Sequence, residues 1–189
     1  KVMEQNEDIK NASDQKTTMT HLLNLAYSYK IHGNKSVLPK LKKDLLDICA
    51  GEWGSVLKLS ETSFSVSLAY DWIWDTLSEE ERKTICDALI EKVIMGSESR
   101  TFRSFKGNWN SICNCAVIAA CIAVCDYAPE LAEEHLNRSF WSNQRCLPTF
   151  YDDGGYPEGC GYWNYGTTFQ ICLIELLKNI YGHDGGLSE

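Results

Sequence analysis

The sequence predicts an all-α fold, and three observations carry that prediction. Apolar residues recur at helical spacing in seven segments, about one every 20 to 25 residues. No six-residue window alternates apolar and polar residues well enough to make a half-buried strand. The apolar set makes up 44% of 189 residues, against only four prolines. That is ample for a packed core and excludes a disordered or proline-rich chain. Short connections make neighbouring helices antiparallel, the pattern of a bundle, a helical solenoid or a ring of helical hairpins.

The first twelve residues are polar and aperiodic and are set apart as an N-terminal segment, leaving 13–189 as the helical unit. Ser13 to Tyr29 carries Leu22, Leu25, Ala26 and Tyr29 on one side, and His32-Gly33-Asn34 ends it. Ser36 is the expected cap of a second helix with Pro39 in its first turn and Leu41, Leu45 and Cys49 inward. A third helix is predicted over Glu61 to Asp75. Ser78 and Glu81 then form a capping box that opens a fourth helix, running to Met95 before Gly96. The fifth helix, from about Trp109 to Asp126, is rich in alanine and cysteine, as suits an inner helix closely approached by its neighbours. Glu130 to Arg145 makes a sixth, behind Pro129, and Tyr162 to Ile180 a seventh. The tail from Tyr181 to Glu189 resembles a helix stop followed by an interhelical loop, so the expectation is a piece of a longer protein.

Charge and apolar runs narrow the function. Eighteen basic against 26 acidic side chains leave a net charge of −8, which argues against nucleic acid as a partner. The longest nearly charge-free helical stretch, Ala116 to Cys125, is half of the roughly 20 residues that a membrane span needs. No signal-peptide pattern follows Lys1. Nine cysteines, an odd number without a paired CxxC pattern, are expected to pack as small hydrophobes rather than hold zinc.

Two segments spend polar and aromatic residues where packing alone does not require them. In Gly107-Asn-Trp-Asn-Ser-Ile-Cys-Asn114, Asn108 could cap the fifth helix, while Asn110 and Asn114 stand at i,i+4 on one face. Helix-interior asparagines compete with their own backbone and want a reason. The second segment, Tyr151 to Gly166, combines glycines with Asp152, Asp153, Glu158, Tyr156, Tyr162, Trp163 and Tyr165. Flat aromatic faces beside carboxylates and amides suit a sugar ring. A purely structural account makes Asn108 a cap and packs the tyrosines into the core. His135, among Glu133, Glu134 and Asn137, reads as a solvated helix residue.

The strings GNWNSICN and DDGGYPEGCGYWNYG, with SLAYDWIWDTLSEEERKTI before them, resemble the helical domain of the heparinase II/III-like polysaccharide lyases over about residues 60 to 180. The resemblance implies an incomplete (α/α) toroid, followed in the family by a β-rich region that nothing here corresponds to. It implies β-elimination on an acidic, uronic-acid-containing glycan in the periplasm or outside the cell, with no cofactor. It maps the uronate-carboxylate contact to Asn108, with Asn110 as alternative, and the acid/base tyrosine to Tyr162, with Tyr165 second. Trp109, Asn114, Arg103, Lys106, Glu158, Tyr156 and Trp163 are then substrate-binding candidates, and Arg100, Arg103 and Lys106 a local basic group. Trp109 stands where several such lyases have histidine. The alternative is a non-catalytic carbohydrate-binding or scaffolding helical domain.

Overall fold

The computed structural model describes residues 15–98 and 101–188, and over these the protein is all-α. Seven α-helices follow in order: α1 Gln15–Lys30, α2 Leu38–Ala50, α3 Val56–Ile73, α4 Glu79–Leu89, α5 Asn108–Ala123, α6 Pro129–Asn143 and α7 Cys160–Tyr181. No strand occurs among the described residues. The polar segment 1–12, the predicted start at Ser13 and Arg100 of the basic group lie outside them.

The odd-numbered helices form one row, with α3 between α1 and α5, and α5 between α3 and α7. The even-numbered helices lie behind that row: α2 against α1 and α4, and α6 against α5. Helix α5 is the centre. Every residue from Asn110 to Cys121 is buried, as expected of a helix with no charged residue. Ala116, Ala119, Ala120, Cys113, Cys115 and Cys121 keep its profile slim, so neighbours approach on all sides. The Ser63 hydroxyl of α3 reaches across to donate to the Ala116 carbonyl at 3.1 Å. One apolar cluster joins α1–α4 to the inner half of α5 through Leu22, Leu41, Leu45, Ile85 and Leu89. A second joins α3, α5 and α7 through Phe64, Ile112, Ile118, Phe169 and Leu173.

Several boundaries differ from the sequence expectation for identifiable reasons. Asn34, not Ser36, is the cap: its side chain accepts from the Ser36 N–H and opens a 3-10 turn, Lys35–Val37, ahead of α2. Helix α3 begins at Val56, five residues earlier than predicted. In its first turns Ser60 returns its hydroxyl to the Val56 carbonyl at 2.9 Å. The Ser78–Glu81 capping box is present with both bonds, 2.7 and 3.2 Å. Beyond α4 the chain passes through a π-turn, Ile90–Ile94, and a 3-10 turn, Met95–Ser97. His135 is not solvated: it is 2% exposed, facing Glu98 at 3.7 Å. Six of the nine cysteines, all free thiols, are buried as expected, whereas Cys125 and Cys160 are exposed.

Two substitutions separate local from tertiary stabilisation. Ser78→Ala removes one arm of an exposed capping box and should cost about 1 kcal/mol. Leu173→Ala opens a cavity at a fully buried position and should cost about 2–5 kcal/mol. Urea unfolding monitored by circular dichroism measures both, and equal losses would contradict this division of the core.

Candidate functional site

The two motif segments meet where α5 and α7 begin. Gly107 is the N-cap of α5 in extended conformation, so Asn108 is the first helical residue and does not cap the helix with its side chain. Gly159 precedes α7 at φ +85°, a conformation that glycine adopts without strain. Further in, Gly166 lies so close to Asn108 that a Cβ there would stand 3.1 Å from the asparagine Cβ. Thr149, after α6, donates its hydroxyl to the Lys106 carbonyl and ties the intervening loop to the approach of α5.

Glu158 is the junction of these parts. Its Oε2 accepts from the Asn108 backbone N–H at 3.1 Å, from Asn108 Nδ2 at 2.9 Å and from the Tyr156 hydroxyl at 3.0 Å. The oxygen thus sits on the positive end of a 16-residue helix, where unpaired N–H groups and the helix dipole favour an anion. Burial, followed by the hydrogen bond to Glu158, raises the Tyr156 phenol above its usual range. Its ring also rests on Phe150, 5.0 Å between centroids.

Beneath this junction lies a buried polar floor. Asn110 directs its amide toward the Phe102 and Arg103 carbonyls and the Ser142 hydroxyl. Asn114 donates to Asn110 Oδ1 at 3.0 Å and to Ser142 at 3.1 Å. Gln170 of α7 exchanges two amide bonds with Asn143 of α6, and its Oε1 also accepts from Ser111. Asn110 and Asn114 are therefore spent on joining α5 to α6 and the preceding loop. Arg103 likewise turns inward, donating to the Ser97 carbonyl and hydroxyl at 2.8 and 2.7 Å. Asn108 Oδ1, like Asn114 Oδ1 and Arg103 Nε, is buried without a hydrogen-bond partner, which is costly unless something comes to pair with it.

The four aromatic residues expected to share a platform are divided. Tyr165 points inward: its hydroxyl donates to Glu61 Oε1 at 2.6 Å, and its ring meets Phe169 edge-on. Burial and the Glu61 carboxylate hold that phenol well above the usual tyrosine range. Tyr156 is engaged with Glu158. Tyr162 and Trp163, in the first turn of α7, are exposed, Tyr162 by 53%. A cleft of about 330 Å³ opens at the start of α5, lined by Phe105, Lys106, Gly107, Trp109 and Glu158; neither Tyr162 nor Trp163 lines it. Phe105 and Trp109 meet edge-to-face on its wall, 5.8 Å between centroids.

Glu61 is the residue that the sequence reading missed. It is 7% exposed on α3 and stands 104 residues from its partner, a separation over which no local pattern signals a contact. None of the histidines lines the cleft. Among the described residues no cluster of histidine, cysteine, aspartate and glutamate is placed to hold a metal ion, and no helix is long and apolar enough to cross a membrane. No protein-family model matches the chain, and no curated protein matches it. The functional reading therefore stands on the chemistry of this cleft.

Tyr165→Phe tests the inward dyad. It leaves a buried carboxylate without its donor, so it should cost about 1–3 kcal/mol at neutral pH. The raised native pKa also gives a sign. The unfolded chain loses this proton near pH 10 while the native protein keeps it. The phenol's contribution is thus full below about pH 10 and declines above it. Urea unfolding between pH 9 and 11 should show the gap between wild type and Tyr165→Phe narrowing as pH rises. A constant gap would mean that the phenol does not titrate abnormally.

Proposed function

We propose that this chain is part of the helical, (α/α)-toroid-like domain of a lyase that cleaves uronic-acid-containing polysaccharides by β-elimination. One observation carries the reading. Asn108, at the amino end of α5, grips a carboxylate with both its backbone and its side-chain N–H groups, beside an exposed tyrosine-bearing turn and an aromatic cleft. The alternation of helices between a front row and a back layer suits a toroid built of hairpins.

The chemistry follows from the charge that must develop. The C5 proton of a uronate becomes removable when donors neutralise the neighbouring carboxylate, since the electron pair released at C5 delocalises onto it. The pair then forms the C4–C5 double bond, the bond from C4 to the glycosidic oxygen breaks, and that oxygen takes a proton. Asn108 fits the neutralising role. Tyr162 fits the proton-transfer role better than Tyr165, because Tyr165 is committed to Glu61 whereas Tyr162 is exposed. Lys106 contributes positive charge near an acidic glycan, and Trp109 and Phe105 offer apolar faces to its rings. In the family that the sequence resembles, a histidine often supplies the second proton-transfer role, and none of this chain's histidines lines the cleft.

A periplasmic or secreted location follows from the resemblance alone, and the exposed Cys125 and Cys160 thiols add no support for it. Burial pushes Cys49, Cys121 and Cys146 up to about 12 and Cys115 well above its normal value, which leaves them poor nucleophiles even in an oxidising compartment.

In the full-length protein, elimination is read by the ultraviolet absorbance of the unsaturated uronate. Tyr162→Phe should lower kcat by about 10²- to 10⁴-fold with the melting temperature preserved, and Tyr165→Phe should lower it less although it melts lower. Asn108→Ala should also lower kcat. Reducing ends appearing without the chromophore would assign the protein to the hydrolases. Binding of acidic glycans without any cleavage would favour a carbohydrate-binding domain.

A further inference from the structure

We propose that Glu158 is an internal stand-in for the ligand, occupying the carboxylate subsite of the free protein and withdrawing when a ligand's carboxylate arrives. The proposal rests on the reading of Asn108 as the carboxylate contact. Three donors converge on one Glu158 oxygen: the Asn108 N–H, Asn108 Nδ2 and the Tyr156 hydroxyl. That is the pattern of an anion site with an anion in it. Asn108 itself is 0% exposed, so no outside carboxylate reaches its donors while Glu158 holds them. Glu158, by contrast, is exposed and lines the open cleft.

The surroundings are shaped for the exchange. A Cβ at Gly107 would stand 2.7 Å from Glu158 Oε2, so the glycine keeps space for a carboxylate group against the start of α5. Glu158 lies between Pro157 and Gly159, and Gly159 at φ +85° leaves the backbone free on the α7 side. No ion pair anchors the Glu158 carboxylate among the described residues. Lys106, in the same lining, offers it an alternative partner once displaced. Asn108 Oδ1 has no partner in the closed arrangement, so a ligand that brings a hydroxyl beside its carboxylate, as a uronate does, can satisfy what Glu158 leaves open.

An internal competitor lowers apparent affinity in proportion to the population it occupies. Removing it should therefore tighten carboxylate binding by about tenfold or more. The experiment uses the whole chain as wild type, Glu158→Ala and Glu158→Gln. The probes are sodium acetate and D-glucuronate, with sodium chloride at matched ionic strength and the uncharged methyl ester of glucuronate as controls. Melting temperature and the backbone amide resonance of Asn108 are followed together. Wild type should be indifferent to millimolar acetate. Glu158→Ala should melt lower in chloride, recover with acetate, shift its Asn108 amide as it does so, and respond to glucuronate at lower concentration than to acetate.

Failure of acetate to stabilise the alanine variant, with an unmoved Asn108 amide, would overturn the proposal. Should the alanine variant not fold, Glu158→Gln decides. Its neutral amide should yield to glucuronate at about tenfold lower concentration than wild-type Glu158 does, and an unchanged affinity overturns the exchange. Acetate rescue with no preference for glucuronate would support the exchange while removing support from the uronate reading, so the two fail separately.

Discussion

The close approach of three helices to α5 is the constraint on which the rest of the molecule depends. A helix buried along its whole length must present small side chains and satisfy every polar group it carries. Alanine and cysteine meet the first demand. Ser111, Asn110 and Asn114 meet the second in part by bonding to α6, α7 and the loop before α5, while Asn108 Oδ1 and Asn114 Oδ1 stay unpaired. The same closeness brings Gly166 of α7 against Asn108, so the first turns of two helices share one small volume. A bulkier α5 would hold the neighbouring helices apart, and the donors on Asn108 would lose the carboxylate that now faces them.

Polar residues near the cleft divide into two kinds by what their hydrogen bonds connect. Those on the floor connect one helix to another and act as rigid spacers; Gln170 and Asn143 lock α7 to α6 through a reciprocal amide pair. Those at the rim connect a helix to the glycine-rich loop, where the backbone is less constrained. Rigid support under an exposed rim fits the proposed recognition of a charged sugar. The electrostatics match this division, since the helix dipole concentrates positive potential at a point although the chain as a whole is acidic.

The helices were legible in the sequence because burial imposes a 3.6-residue period, and each of the seven lies close to its predicted place. Their ends were less legible. At α3 the helix begins at Val56, five residues before the predicted Glu61, with Ser60 bonded back to the Val56 carbonyl. Short loops in an array of hairpins can bring alternate helices together, which with the resemblance made the two motif segments' proximity an expectation. Individual roles were harder still. Asn110, Asn114 and Arg103 look available for a ligand in a one-dimensional reading, yet their partners lie on other elements. His135 resembled a surface residue because its neighbours in sequence are charged, while packing against its helix decides its burial. Glu158 was visible as a loop carboxylate, but its engagement with Asn108 depends on a fold that brings residues 50 positions apart together.

The pairing of Glu61 with Tyr165 bears on how the chain is made. The two residues are 104 positions apart, and ribosomes add about 5–20 residues per second. Glu61 therefore leaves the ribosome some 5–20 s before its partner exists. Through that interval α3 can pack on α1 and receive α5, but its carboxylate has no phenol to meet and stays wet. Closure of α7 over α3 is thus the step that dries this end of the molecule. The cleft is completed only after most of the helical scaffold has been synthesised, so a nascent chain stalled before Tyr165 would carry a nearly finished scaffold and no finished site.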